Sequence, residues 1–380
     1  MINRLHIKNF KAFVKADITF SKLTLLTGMN GLGKSTIIQS LLLIRQSFLQ
    51  NTLKTVGLSL KGDLCSLGRG KDVLNISAES DLLGFLIEWE EGSSLTLEYN
   101  LAARLKTRKK GGYTNAELDV LPKSKVDAGP GVYSASLFTN KFQYLSADRR
   151  SPGDFFPASI YKVDQLRTLG TRGEYTSHFL AYHQREQVRL SSLVNPAIPN
   201  TLLAQASFWL SQITPGIDLV PSVNDDAEIA RTGYRFEMGE HYTSEFRAVN
   251  VGFGFHHCLP IIVALLAARP GDLVIIENPE SHLHPHGQVV LGKLMAHAAH
   301  SGVQVIVESH SDHLLNSFCV CVKNGILKPD DILVYYFNRV LGASHHSDIF
   351  TPTINELGRI SEYPEGFFDE YNRQLDELLK

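Results

Sequence analysis

Apolar and polar residues alternate over the first part of the chain, which is the pattern of strands that bury one face. The alternation predicts three β-strands, over residues 5–13, 16–20 and 23–27. A glycine-rich turn follows, and the apolar side chains of residues 35–50 then predict a mostly buried helix. Short strands separated by Gly and Asp turns are predicted over residues 58–101. The beginning of the chain is therefore predicted to be β-rich, with one buried helix.

Helical and strand patterns take turns in the last third of the chain. Helices are predicted over residues 260–268, 287–300 and 312–323, and strands over residues 272–277, 303–308 and 332–337. An earlier apolar strand, residues 142–145, ends at the sequence SADRR. Because the helices alternate with apolar strands, the pattern predicts a parallel sheet with crossover helices.

The middle of the chain predicts a short helical insert. Residues 174–213 have a helical pattern that Pro196 and Pro199 interrupt. A coiled-coil arm of about 50 Å would need about 33 residues in each direction, so no arm is expected. We predict one large domain over residues 1–337, with an insert at about 151–215 and an extension over residues 338–380 that ends in a helix.

Composition excludes several classes of protein. The net charge of −2 gives no global basic field, so nucleic acid could be contacted only through local patches such as the basic run at residues 106–110. No apolar run reaches the ~20 residues that span a bilayer, and the four cysteines form no CxxC pair. We expect a cytoplasmic protein that is not bound to a membrane.

The glycine-rich turn has the sequence GMNGLGKS at residues 28–35 and fits the phosphate-binding loop GxxxxGK[ST]. It lies between a predicted strand and a predicted helix, the context in which backbone N–H groups surround phosphate oxygens. Lys34 is placed to reach the β- and γ-phosphates, Ser35 to bind Mg²⁺, and Thr36 to assist at the α-phosphate. The predicted cofactors are therefore ATP and Mg²⁺. The other loop positions expected to contact ATP are Gly28, Asn30, Gly31 and Gly33.

Two later apolar strands end in polar residues that suit phosphate chemistry. The sequence LVIIENPE at residues 273–280 puts Glu277 at a strand end, where a carboxylate beside the phosphate-loop strand can hold Mg²⁺. The strand at residues 303–308 ends at SHSDH, which places His310 at its tip as a donor to the γ-phosphate. Residues 148–150 are either a loop that senses the γ-phosphate, with Gln143 near the metal, or a surface turn with salt bridges.

These motifs, together with NVGFG at residues 250–254 and PEGFFDE at residues 364–370, resemble a family. The chain is similar to stand-alone ATPases related to the overcoming-lysogenization-defect, SMC and RecF-like heads. The resemblance implies an α/β ABC-type ATPase head with an antiparallel β subdomain, a mainly parallel sheet core and a short helical insert.

The resemblance also implies roles for residues and partners. In such heads two protomers enclose ATP, so a homodimer or higher homo-oligomer is expected. Gly252 and Gly254 would form the signature turn that caps the partner's γ-phosphate, and residues 281–284 the loop that crosses to the partner. Glu277 would be the magnesium acid and His310 the switch histidine. The segment at residues 9–11 would brace the nucleotide.

Two departures from the family pattern affect the chemistry. Related heads carry Asp-Glu at the strand end, whereas this chain has Glu277 and Asn278. An amide can orient a water but cannot take its proton, which predicts slow hydrolysis. Glu280 is then either a candidate base or a carboxylate that caps the following loop. Secondly, His256 and His257 replace the usual Ser and Gln of the signature, so His256 is a candidate donor to the γ-phosphate.

Three functions stay open from the sequence. The first is an ATP-switched scaffold that regulates a separate effector, such as a nuclease in antiphage defence. The second is a DNA-repair or DNA-sensing ATPase that binds duplex through residues 106–110. The third is a metal-dependent enzyme that uses the histidines of the HxHxH sequence, His282, His284 and His286.

Overall fold

The computed structural model describes residues 1–101, 115–339, 347–364 and 366–379, which form two compact units. The first unit contains Met1–Ser21, Thr27–Thr139 and Tyr335–Thr351. The second contains Lys22–Leu26, Asn140–Val334 and Pro352–Lys380. The basic run at residues 106–110 lies outside the described residues.

An antiparallel sheet forms most of the first unit. Its strands are β1 (Ile2–Phe10), β2 (Phe13–Thr19), β4 (Gly57–Ser59), β5 (Leu82–Trp89), β6 (Ser94–Asn100) and β7 (Val120–Ala128). They are ordered β2-β1-β5-β6-β7-β4. Alternate side chains such as Leu5, Ile7 and Ile18 are buried, as the period of the sequence predicted.

The helix that follows the glycine-rich turn is α1 (Lys34–Leu49), in close agreement with the predicted helix. It is buried on most sides, which explains its nearly continuous apolar sequence. The first unit also contains the short helices α2 (Thr52–Thr55) and α3 (Gly70–Val73). The end of β15 (Ile332–Arg339) pairs there with β16 (Ser347–Phe350) in the antiparallel sense.

A parallel sheet is the centre of the second unit. Leu23–Leu26, which begins β3 (Leu23–Gly28), pairs with β14 (Gln304–Glu308). Strand β14 pairs with β13 (Leu273–Glu277), and β13 pairs with β8 (Phe142–Leu145). The carboxyl ends of these strands therefore share one edge. The expectation that the acidic strand lies beside the phosphate-loop strand is wrong, because β14, which leads to His310, lies between them.

Crossover helices join these strands, as the alternating pattern predicted. They are α6 (Phe253–Ala267), α7 (Pro285–His300) and α8 (Asp312–Lys323). Helix α6 begins at Phe253, well before the predicted start at Pro260, because the helix accommodates Pro260 in its interior. The Pro260 ring packs where Gly173 has no side chain, since a Cβ on Gly173 would lie 2.6 Å from the ring. With this earlier start, helix α6 begins within the predicted signature turn.

The remaining elements of the second unit are short. The insert contains α4 (Thr176–Tyr182) and α5 (Leu202–Ile213). A small antiparallel sheet contains β9 (Phe156–Pro157), β10 (Ile217–Asn224), β11 (Ile229–Met238) and β12 (His241–Tyr242). Near the end of the chain, helix α9 (Glu370–Leu378) begins shortly after Phe368, which adopts a left-handed φ of 56°. In the parts of the chain described above, no helix is long and apolar enough to cross a membrane.

Candidate functional site

The glycine-rich turn in the first unit has a backbone that side chains would obstruct. Gly28, Gly31 and Gly33 have φ angles of 123°, 79° and 106°, which residues with a Cβ rarely adopt. A Cβ on Gly28 would lie 2.2 Å from the carbonyl oxygen of Phe337, and one on Gly33 would lie 2.4 Å from the ring of Phe13. Both conformation and packing therefore require glycine at residues 28 and 33.

Helix α1 starts directly after this turn, at Lys34. It has no side-chain cap and no acidic residue in its first turn, so its N-terminal end suits an anion. The Lys34 ammonium donates to the carbonyl oxygens of Gly28 at 2.8 Å and Met29 at 2.7 Å. Lys34 is only 3% exposed, which places its charge within the turn. Asn30 and Gly31 are exposed at the tip of the turn. The turn, the Lys34 ammonium and the uncapped start of α1 together suit the phosphates of a nucleoside triphosphate.

Asn9 and Lys11, the two polar residues of the segment at residues 9–11, have different partners in the structure. The Asn9 amide is buried and donates to the carbonyl oxygen of Leu82 at 2.8 Å, so it holds the fold and is not available to brace a nucleotide. The Lys11 ammonium donates to Oε1 of Gln39 on α1 at 2.6 Å, and burial lowers the pKa of Lys11. A nucleotide contact by Lys11 stays a prediction.

Glu277 ends β13 in the second unit and points toward the loop after β8. Its Oε2 accepts a hydrogen bond from the backbone N–H of Ala147 at 3.1 Å. Burial raises the pKa of the Glu277 carboxyl, while the bonds from Ala147 and Tyr144 and the charge of Arg149 oppose that rise. A buried carboxylate at a strand end can bind a divalent cation, because the cation's charge offsets the cost of burial.

The conformation of the turn after β13 explains why asparagine suits residue 278, which the sequence did not reveal. Asn278 has a left-handed φ of 45°, and its N–H donates to the carbonyl oxygen of Glu308 at 2.8 Å. Asparagine tolerates this conformation better than most residues, for which it costs about 1–2 kcal/mol. Asn278 therefore occupies a turn whose conformation most other residues adopt only at a cost.

Glu280 binds the loop that carries the predicted switch histidine. Its Oε2 accepts from Oγ of Ser309 at 2.8 Å and its Oε1 from the backbone N–H of His310 at 2.7 Å. Both oxygens therefore hold the loop between β14 and α8, which weighs against Glu280 as the base that activates water. The His310 side chain itself is exposed at the strand tip. Ser309, which the sequence analysis missed, is fully buried directly before it.

The predicted signature turn packs against the predicted crossing loop in the same unit. A Cβ on Gly254 would lie 2.6 Å from the carbonyl oxygen of His282, so close approach requires glycine there. The ring of Phe253 lies 5.1 Å from that of His257 and 4.7 Å from that of His282. Gly252 caps the start of α6, which places a helix N-terminus at this turn.

Two other sequence assignments do not fit the positions of their side chains. His256 is buried beside Phe156 and Tyr234, with a pKa that burial lowers to about 4, so it faces the interior and not a phosphate. Gln143 accepts from the N–H of Leu169 at 3.0 Å and donates to the carbonyl oxygen of Gly170 at 3.0 Å. The Gln143 side chain therefore links β8 to the insert, and these bonds do not orient it as a metal ligand.

The histidines of the HxHxH sequence do not converge. Nδ1 of His284 accepts from the N–H of His286 at 3.3 Å, and Nε2 of His286 lies 3.0 Å from the carbonyl oxygen of Gln212. The His282 ring lies 4.6 Å from that of His257. Within the described ranges, no group of three or more His, Cys, Asp or Glu residues could hold a metal ion. The metal-enzyme alternative therefore has no geometric basis there.

Family models match separate parts of the chain. Residues 1–88 match an AAA ATPase domain, and residues 140–316 match a family described as AAA domain, putative AbiEii toxin, Type IV TA system. Residues 327–378 match a family of unknown function. No curated protein matches the chain.

Solved structures match nearly the whole chain at low identity. An SMC head bound to the C-winged helix domain of ScpA is 12% identical, with 93% of this chain and 97% of that chain covered, at a TM-score of 0.52. An SMC head with an extended coiled coil bound to the C-terminal domain of ScpA, derived from Pyrococcus furiosus, is 12% identical, with 100% and 99% covered and a TM-score of 0.52.

The fold is that of an SMC-type ATPase head. The predicted α/β architecture, with antiparallel and parallel sheets and helices, is thereby confirmed. The family matches support an ATPase of the AAA type, and the solved structures show the fold of an SMC head.

Proposed function

We propose that this protein is a cytoplasmic ATPase that closes as a homodimer, or a higher homo-oligomer, around ATP and Mg²⁺ and regulates a separate effector. The observation that carries the proposal is the phosphate loop itself. Gly28 and Gly33 cannot be replaced without a clash, and Lys34 lies inside the turn, hydrogen-bonded to the carbonyl oxygens of Gly28 and Met29. Such an arrangement has an evident use when a triphosphate supplies the opposing charge.

The residues of the site then have distinct tasks. Lys34 and the loop amides from Gly28 to Gly33 hold the phosphates, and Thr36 assists them. Ser35 and Glu277 hold Mg²⁺, which when bound neutralises charge on the phosphate oxygens. His310 donates to the γ-phosphate from a loop that Glu280 keeps in place.

The same residues favour slow turnover. Asn278 cannot accept a proton from water, and both oxygens of Glu280 are occupied by Ser309 and His310. Neither residue is a strong general base in this arrangement. ATP is therefore proposed to act mainly as a clamp, and hydrolysis as a slow release of that clamp.

Regulation of a separate effector is proposed from the kind of domain that the sequence indicates. The recognised motifs belong to a nucleotide-binding head, whose ATP-dependent closure can change the state of another protein. The family model at residues 140–316 is described as AAA domain, putative AbiEii toxin, Type IV TA system, which supports a role in a system of more than one component. We propose a nuclease of an antiphage system as the effector.

The test is nucleotide binding and dimerisation of the full chain. We expect the wild-type protein to bind MgATP in calorimetry and to double its mass in light scattering when ATP is present. Lys34→Ala should weaken ATP binding by about 100-fold and abolish the mass change, because it removes a charge-assisted contact of about 3 kcal/mol. Lys15→Ala, an exposed lysine of β2, is the matched control and should behave like wild type. Unchanged ATP affinity in Lys34→Ala would show that the phosphate loop is not the site.

A further inference from the structure

Arg149 is a buried cation next to the acidic strand end. It is 2% exposed and lies in the loop that follows β8. Its Nη1 donates to the carbonyl oxygens of Ser146 at 2.9 Å and Glu277 at 2.6 Å, and its Nη2 donates to that of Asn278 at 2.5 Å. Burial lowers the pKa of Arg149 to about 10, which leaves the guanidinium charged at neutral pH.

The two carbonyls of Glu277 and Asn278 define how the chain leaves β13. They belong to consecutive residues, and the second has the left-handed φ of 45°. A planar guanidinium can hold both carbonyls at once, which a lysine ammonium with one nitrogen does less well. The same loop also donates the Ala147 N–H to the Glu277 carboxylate. The loop after β8 therefore orients both the backbone and the side chain of Glu277.

This contact continues into the histidine loop. Glu280 lies shortly after the held turn and accepts from Ser309 and from the N–H of His310. The turn after β13 thus joins the loop after β8 to the loop after β14, all in the second unit. A shift at Arg149 would be passed to the carboxylate of Glu277, which would hold Mg²⁺, and to the loop that presents His310.

A contribution to folding stability alone does not explain why Arg149 is buried at this position. A charged group is removed from water, and its buried Nε has no hydrogen-bond partner among the residues that the structure describes. Both features oppose folding, since a buried donor without a partner is costly. The compensating contacts all go to the backbone of two loops that flank catalytic candidates.

We infer that Arg149 is a positioning residue for ATP turnover, which sets the turn that presents Glu277 and, through Glu280, the loop of His310. The inference rests on the proposed function. It assigns Arg149 no contact with the nucleotide, in contrast to the phosphate-sensing role predicted for its loop. Loss of Arg149 should therefore affect turnover far more than nucleotide binding.

The experiment compares Arg149→Ala, Arg149→Lys and the control Arg185→Ala, an exposed arginine of the insert. We expect Arg149→Ala to keep its ATP affinity within about threefold and to lose about 30-fold or more in kcat, because displaced catalytic groups are costly. Guanidinium ion at non-denaturing concentration should restore kcat by about fivefold, and sodium ion at equal concentration should not. Arg149→Lys should fold and show an intermediate kcat, and Arg185→Ala should match wild type.

Other outcomes would overturn the inference. A kcat for Arg149→Ala within about twofold of wild type would show that the turn needs no such residue. Equal losses of ATP affinity and kcat without guanidinium rescue would show a general structural role. If Arg149→Ala does not fold, a wild-type kcat in Arg149→Lys would exclude the fork geometry. A wild-type protein that binds ATP without hydrolysing it would overturn the inference while ATP binding survives, whereas no ATP binding at all would remove the proposed function as well.

Discussion

At the scale of single residues, the two glycines of the predicted signature turn differ in what the fold demands of them. A Cβ on Gly254 would lie 2.6 Å from the carbonyl oxygen of His282, whereas one on Gly252 would meet only the Phe255 ring at 3.7 Å. The structure thus requires glycine at residue 254. The fold does not require glycine at residue 252. The proposed contact with a partner's phosphate would explain why glycine is present there.

This difference predicts opposite results for two matched variants. Gly254→Ala should lower the free energy of unfolding by about 1–3 kcal/mol, because a backbone atom must move to admit the methyl group. Gly252→Ala should unfold like wild type but lose the ATP-dependent dimer. Urea denaturation and light scattering would measure the two effects. A stable, dimerising Gly252→Ala variant would contradict the assignment of the signature turn.

The carboxylates at the strand end predict a second pair of variants. Glu277→Gln should weaken Mg²⁺-dependent ATP binding, because an amide is a poorer ligand for a hard cation than a carboxylate. Glu280→Gln should keep binding but slow turnover by about tenfold, since an amide cannot accept both bonds from Ser309 and His310. Calorimetry at varied Mg²⁺ and steady-state hydrolysis would check both. Asn278→Ala as the more damaging change to turnover would move the catalytic role to Asn278.

At the scale of elements, helix α6 buries two consecutive histidines. Burial lowers the pKa values of His256 and His257 to about 4, with Arg149 and His282 adding to the effect at His257. Both side chains are therefore neutral in the folded protein at neutral pH. The unfolded chain binds more protons than the folded chain between pH about 6.5 and about 4, so stability must fall as pH falls through that window.

We therefore expect acid to destabilise the protein through α6. The loss should approach about 3 kcal/mol for each histidine at the low end of the window. Urea denaturation at several pH values would measure it, and His257→Gln should flatten the slope. His300→Gln, at the exposed end of α7, should leave the slope unchanged. A stability that does not vary between pH about 7 and about 4.5 would contradict this account.

At the scale of the whole molecule, the remaining question is whether duplex DNA is a direct ligand. The net charge is −2, and the candidate basic run at residues 106–110 lies outside the described residues. An effector-regulating clamp does not need DNA to turn over. We predict that duplex DNA changes the ATPase rate by less than about twofold at physiological salt.

The measurement is steady-state hydrolysis with and without duplex at several salt concentrations. A variant with Lys106, Lys109 and Lys110 replaced by Ser serves as the matched control. Stimulation of about fivefold or more that this variant loses would favour the DNA-sensing function over the clamp.

Local signals in the sequence determined much of this protein. The helix after the phosphate loop, the strand Phe142–Leu145 and the helix Asp312–Lys323 were predicted at or within one residue of their bounds. The phosphate loop was predicted from the spacing of its residues and from its place between a strand and a helix. Hydrophobic period, glycine and helix-capping residues act within a few residues of one another, so such features can be read along the chain.

Only the tertiary structure decided which distant residues meet. The placement of β14 between β3 and β13 depends on pairing between strands far apart in sequence. Glu280 found its partners at Ser309 and His310, and Arg149 found the carbonyls of Glu277 and Asn278 more than a hundred residues away. Asn9 and His256, plausible ligands by sequence, were taken into the interior. A buried polar group must find a partner wherever the fold brings one, and sequence order does not encode that choice.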